Sequence, residues 1–282
     1  MNEPARNRLI LELCQGASDP NTIRAAADYA RMLDLDLHCL FIEDEALLAW
    51  SEAGFAREIR LPTYHWSAVS ADSVVRDLQH AAARTRRLLS DYLPDIGAAA
   101  RFQVMRGDPA ECIAGLCRCG DVVVVSEPVA PSQRATRGVQ RLRSGAHASA
   151  ASVLLLPARP VGASGSIAVM ADDADDAALD VACPIALAAN ALLLVLLPAD
   201  VSAAARERLA SRVRQAGLPA ERLSVHTVPH RSAHDLMRAA GDTPVRLVIL
   251  ARRSEADERR LAADLVTTAH VPVLLIEPAP AA

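Results

Sequence analysis

Short apolar runs alternate along the chain with stretches that carry helical apolar spacing. Leu9–Cys14, Leu35–Ile42, Ala100–Met105, Val122–Val125 and Val153–Leu156 read as strands. Between them, Pro20–Leu33 places Ile23, Ala27, Ala30 and Met32–Leu33 on one face. Val74–Leu93 does the same with Leu78, Ala82, Leu88 and Leu89, and Pro109–Arg118 opens on Asp108 as N-cap. Val122–Val125 does not alternate, which predicts a strand buried on both faces. From residue 166 onward the same order returns. Strands are predicted at Ile167–Ala171, Leu192–Leu197, Leu223–Val228, Val245–Leu250 and Val273–Ile276. Helices are predicted at Asp175–Ala188, Val201–Gly217, Ala233–Ala240 and Glu255–Ala269. Strict alternation of this kind predicts an α/β fold with parallel sheets and helices on both faces.

The chain repeats itself. DVVVVSEP followed by ASVLLLP in the first half matches PVRLVILARR followed by HVPVLLIEP in the second. The repeat divides the sequence into domains at 1–158 and 165–282, joined by the Pro- and Gly-rich linker Pro157–Gly165. One segment has no counterpart. Glu43–Ser70 is an insertion in the first domain, and five of the eight aromatic residues fall within Phe41–Trp66. It reads as a flap packed over its own domain; the alternative is a ligand lid or partner surface.

Composition narrows the function classes. The net charge is −4, which gives no electrostatic case for nucleic acid or an anionic membrane. Every basic side chain is arginine, so phosphate-loop and Schiff-base lysines are ruled out. Val181–Ala199 is uncharged but interrupted by Pro184, Asn190 and Pro198, and reads as a helix running into a buried strand rather than a membrane span. The six cysteines read as reduced thiols of a cytoplasmic protein. Cys112, Cys117 and Cys119 lack companion ligands and read as packing, not as a metal site. His226, His230 and His234 recur every four residues, but His226 falls in the predicted strand Leu223–Val228 and Pro229 ends it, so only His230 and His234 could converge, and they read as solvent-exposed loop histidines. No pair of residues reads as a nucleophile with its base, so a non-catalytic protein is the expectation and an enzyme, such as a weak ATPase, the alternative.

Val104–Cys112–Ile113 with Gly107, Asp108, Pro109 and Glu111, followed by Gly120–Asp121–Val125, resembles the core of universal stress proteins. Phe41–Leu48 with Phe55–Glu58 resembles the insertion of a tandem bacterial subfamily, and Val271–Ile276 the family's closing strand. The resemblance implies two five-stranded sheets of order 3-2-1-4-5, each with a crevice at the carboxyl ends of strands one and four. Members that bind ATP hold it there with an acidic residue after strand one and a glycine-rich loop after strand four. This chain departs from that pattern twice. Ser126–Ser132 carries Glu127, Pro128 and Pro131 in place of the first glycines; Gly138 and Gly145 remain, at the wrong spacing. Cys14–Gln15–Gly16 replaces an acid–glycine pair, and Ala251–Arg252–Arg253–Ser254–Glu255 has no glycine.

The expected cofactor is therefore none, with ATP or AMP at a non-standard site as the alternative. Candidate nucleotide-binding residues are Asp172, Asp173, Ala251, Arg252, Arg253 and Gly107. Arg252 and Arg253 either bind phosphate or pair with Asp172 and Asp173 across the mouth. The expected partner is a protein or a second copy of the chain, without nucleic acid or membrane. Finally, Val153–Leu156 and Val273–Ile276 fall at sheet edges, and open apolar edges seek pairing. The two domains are expected to pair through these strands as an internal pseudo-dimer.

Overall fold

A computed structural model of the chain describes residues 7–13, 20–53, 55–60, 62, 64–96, 100–128, 137–159, 164–173, 176–252 and 257–277. The fold is α/β, built on one ten-stranded sheet. The first half contributes β1 (Arg8–Glu12), β2 (Asp36–Asp44), β5 (Ala100–Gly107), β6 (Val122–Ser126) and β7 (Ser152–Leu156). The second contributes β8 (Ser166–Met170), β9 (Leu193–Pro198), β10 (Leu223–Val228), β11 (Val245–Ala251) and β12 (Val273–Ile276). Their spatial order is β10-β9-β8-β11-β12-β7-β6-β1-β2-β5. All neighbours are parallel except β12 and β7, which run antiparallel with Leu274 opposite Leu154.

Helices cover the sheet: α1 (Pro20–Met32), α3 (Ala71–Ile96), α4 (Pro109–Leu116) and α5 (Arg137–Ala148) in the first half, and α6 (Ala177–Ala188), α7 (Ala203–Gln215), α8 (Ala233–Ala240) and α9 (Asp257–Thr268) in the second. The capping chemistry is local. Asp108 accepts the Ala110 amide at 2.9 Å, and Ser202 the Ala205 amide at 3.2 Å. Helix α7 stops at Ala216, and Gly217 takes the left-handed turn at φ 88° that a side chain would resist.

Side chains from both halves share each of the two apolar layers, one on either face of the sheet. Tyr29 of α1 donates to the Arg246 carbonyl of β11 at 2.9 Å, tying the halves on one side. At the β7–β12 seam the Glu277 amide also donates to the Ser152 hydroxyl at 3.1 Å. Near the sheet's amino-terminal edge, buried Asp121 accepts from the Arg8 and Arg118 amides at 3.0 Å each and pairs with the Arg8 guanidinium. That arrangement leaves no carboxylate oxygen of Asp121 unmatched.

The insertion folds as α2 (Glu45–Glu52) and a two-stranded hairpin, β3 (Arg57–Arg60) with β4 (His65–Ala68). It corrects the expectation of an aromatic flap packed on its own domain. Phe41 is buried in β2, but Trp50, Phe55, Tyr64 and Trp66 are all exposed. What pins the segment is small and polar: Ala56 and Ser51 are buried, and the Ser51 hydroxyl donates to the Leu48 carbonyl at 2.6 Å. Among the described residues, no helix is long and apolar enough to cross a membrane.

Candidate functional site

In each half the strand order reverses between its first and fourth strands, so a crevice opens where the chain leaves β1 and β6, and again where it leaves β8 and β11. Which side chains enter these mouths decides what they accept.

Among the described residues, charges of the chain itself pair with one another at the first mouth. Glu127 follows β6; its amide donates to the Leu156 carbonyl at 2.8 Å, which turns the side chain inward and buries it. There the carboxylate is ion-paired with Arg143 of α5, whose guanidinium burial pulls down from its usual pKa. Two residues earlier, Arg141 pairs with Asp108, the cap of α4. Helix α5 thus directs two arginines at two carboxylates, in the place where a phosphate cradle would direct amides and cations at a ligand. The retained Gly145 serves packing. A β-carbon on it would lie 2.7 Å from the Ala110 α-carbon and carbonyl oxygen, so the glycine permits the close crossing of α4 and α5. Gly107, at φ 151°, faces the Cys112 sulfur, which a β-carbon would approach to 2.9 Å. Cys14–Gly16, and Pro131 and Ser132 of the loop after β6, lie outside the described residues.

In the second mouth, Asp172 and Asp173 follow β8. Buried Asp176 caps α6 through the Ala178 amide at 2.9 Å and also accepts the Asp172 amide at 3.2 Å. Asp172 is gripped by Arg231, one guanidinium nitrogen lying 2.8 and 3.0 Å from its two oxygens. The same guanidinium reaches Glu258, on the first turn of α9, at 3.8 Å. The expectation that Arg252 pairs with Asp172 is therefore corrected. Arg252 and Asp172 sit at the ends of adjacent strands, but Arg252 turns toward β12, pairs with Glu277 and reaches the Ser149 carbonyl at 3.4 Å. The strand order makes either acid reachable, because β11 lies between β8 and β12, and the residue that follows β11 takes the acid on the β12 side.

Ala251 ends β11 beside them, while Arg253 lies outside the described residues. Gly107 belongs to the opposite half, on the far edge strand, and is not brought to this mouth. Arg231 went unnoticed in the sequence; the signal for it was its place just before the Ser232 cap of α8, in the loop that corresponds to Gly107–Asp108 of the first half.

A cavity of about 390 Å³ adjoins this mouth. Arg231 and Arg260 line it together with Asp257, Glu258 and Asp264, so its acids outnumber its bases before Asp172 and Asp173 are counted. Among the described residues no group of His, Cys, Asp or Glu is arranged to hold a metal ion. Cys39 and Cys112 are buried, and Cys119 is exposed. Burial pushes the Cys39 thiol up to about 12 and the Cys117 thiol up to about 11, which keeps both protonated at neutral pH. His226 sits in β10 against the Ser224 hydroxyl at 2.7 Å, while His230 and His234 are exposed.

No protein-family model matches the chain, and no curated protein matches it by sequence. Solved structures do. A universal stress protein from Archaeoglobus fulgidus superposes with a TM-score of 0.67 at 12% identity, over 96% of this chain and 98% of that one. A protein described as a putative universal stress protein from Pseudomonas aeruginosa aligns with a TM-score of 0.53 at 19% identity, over 96% and 93%. The cytoplasmic domain of a prokaryotic cation chloride cotransporter aligns with a TM-score of 0.51 at 13% identity, over 96% and 95%. The fold is that of universal stress proteins.

Proposed function

We propose that this chain is a universal-stress-protein relative that acts without catalysis, as a stress-associated or regulatory protein working through interaction, and that it does not hold ATP in the family's glycine-loop manner. One observation carries the reading: in both crevices described arginines pair with the chain's own carboxylates, Arg143 with Glu127 and Arg141 with Asp108 in the first, Arg231 with Asp172 in the second. A nucleotide phosphate would have to displace these pairs and then face the acids left behind, at a cost in desolvation and repulsion. Pro128 removes one more amide donor from the first loop. The likeness to a transporter's cytoplasmic domain supports a role by contact, since it shows the same fold attached to a larger assembly. Calorimetric titration with Mg-ATP is expected to show no binding at low micromolar affinity; a tight, stoichiometric isotherm would overturn the proposal.

A second reading has its own support. The cavity beside Arg231 and Arg260 is within the size range of small-molecule pockets, and two arginines converge on it. An adenine nucleotide, ATP or AMP, held there would travel with the purified protein. Denaturation followed by ultraviolet absorbance of the supernatant separates the readings: adenine at one equivalent favours this one.

A further inference from the structure

The chain is poor in aromatics, yet among the described residues most of the exposed large apolar side chains belong to one segment. Of the eight large hydrophobic side chains exposed among the described residues, six belong to the insertion. Phe55 is 79% exposed, Tyr64 74%, Trp66 57% and Trp50 42%, with Leu47 and Ile59 beside them. The arrangement is ordered. Ile59 and Trp66 face each other across the hairpin, and Leu47 and Trp50 stand three residues apart on α2. The Ala53 amide donates to the Trp50 carbonyl and the Val69 amide to the Ala56 carbonyl, each at 3.1 Å, which roots the hairpin beside the end of α2.

We infer that this face is the contact surface for a second copy of the same chain, in a two-fold homodimer. Two observations select that occupant. The first is area. With about 200 Å² for a whole aromatic side chain, the exposed parts of these six residues amount to roughly 600 Å². That is about what one partner contributes to the smaller stable interfaces, before any polar rim is added. The second is charge. Helix α2 exposes Glu45 and Glu52, and the hairpin exposes Arg57. A two-fold contact must be complementary to itself, each residue meeting the counterpart of its own partner. Exposed acids on the helix and an exposed arginine on the hairpin meet that condition: α2 of one protomer lies on the hairpin of the other with its glutamates at Arg57, while Glu58 stays with Ser67 of its own hairpin. The inference goes beyond the proposed function and does not rest on it, since it uses none of the residues assigned to the two crevices.

The test is direct because Trp50 and Trp66 are the only two tryptophans of the chain. Sedimentation velocity of the full chain from 1 to 100 μM is expected to show a reversible monomer–dimer equilibrium. Over the same range, tryptophan emission is expected to shift blue and to lose accessibility to iodide as dimer forms. Phe55→Ser with Trp66→Ser is expected to weaken the dimer at least thirtyfold with an unchanged far-ultraviolet dichroism spectrum. Arg57→Glu is expected to weaken it, and Arg57→Glu with Glu45→Arg and Glu52→Arg to restore it. A monomer at 100 μM, a dimer indifferent to both sets of changes, or a charge-swapped chain that stays dissociated would overturn the inference. So would co-flotation of the monomer with phosphatidylcholine–phosphatidylglycerol vesicles, which would assign the face to lipid.

Discussion

Truncating one leucine on each side of the β7–β12 seam measures whether the two halves are energetically one body. Leu154 and Leu274 lie opposite each other in the antiparallel pair, are fully buried and belong to the same apolar layer. Each change to alanine removes buried methyl groups and leaves a void, which costs about 2–5 kcal/mol. The two voids adjoin. Once the first exists, the second truncation removes contacts that are already partly lost, so the double variant is expected to cost less than the sum of the singles. Residues in contact couple by about 0.5–3 kcal/mol, against about 0.3–0.5 kcal/mol of scatter for independent sites. Urea unfolding should be followed by two probes. Tryptophan emission reports the first half alone, because both tryptophans are there; far-ultraviolet dichroism reports both halves. Leu274→Ala, made in the second half, is expected to move the tryptophan-detected midpoint together with the dichroism midpoint. The shared layers and the Tyr29–Arg246 hydrogen bond give the physical reason. Additive costs, or a tryptophan transition that ignores Leu274→Ala, would refute the claim that the seam couples the halves.

Two further outcomes follow from single sites. Gly145→Ala is expected to destabilise by about 1–3 kcal/mol through overpacking against the Ala110 backbone, whereas Gly115→Ala, where a β-carbon meets nothing within 4 Å, is expected to stabilise by about 0.5–1 kcal/mol; thermal or urea unfolding of the pair checks the opposite signs. Burial, followed by the nearby Arg8 charge, pulls the His38 pKa below its usual 6.5. The unfolded chain therefore takes up the proton first, and stability is expected to fall as pH drops below about 6.5. His38→Gln should flatten that part of a stability–pH profile, and an unchanged slope would show that His38 is not the group responsible.

The α/β class was legible because a strand buried on both faces leaves an unbroken apolar run. Val122–Val125, Leu193–Leu197 and Leu247–Leu250 are all buried, and sequence alone marks them. The start of α4 was legible from its Asp108 cap, while both limits of α7 were read two residues too wide: it runs Ala203–Gln215 instead of Val201–Gly217. The hairpin of the insertion went unread. Its strands are four residues long and lie largely exposed, so they lack the alternation that burial imposes. The same cause misdirected the reading of its aromatics. Aromatic content says that a segment has contacts to make, but not whether they lie within the chain or outside it.

At the crevices the residue types were legible and their pairings were not. Missing glycines and added prolines are visible as letters, because each residue type sets its own backbone freedom and its own amide. Ion pairs are not visible, because they join residues from different connections: Arg143 to Glu127 across one loop, Arg231 to Asp172 across 59 positions. Charge near Asp172 drew attention to Arg252, its neighbour in strand order, yet β12 offered Glu277 on the other side of the same strand. A sheet keeps its strands through burial, whichever residues occupy the turns at their ends. Those turns are free to change from a ligand's cradle to an internal salt bridge without loss of the fold. Hence a chain only 12% identical to a universal stress protein superposes over nearly its whole length, while the residues at its crevices have to be judged on their own chemistry.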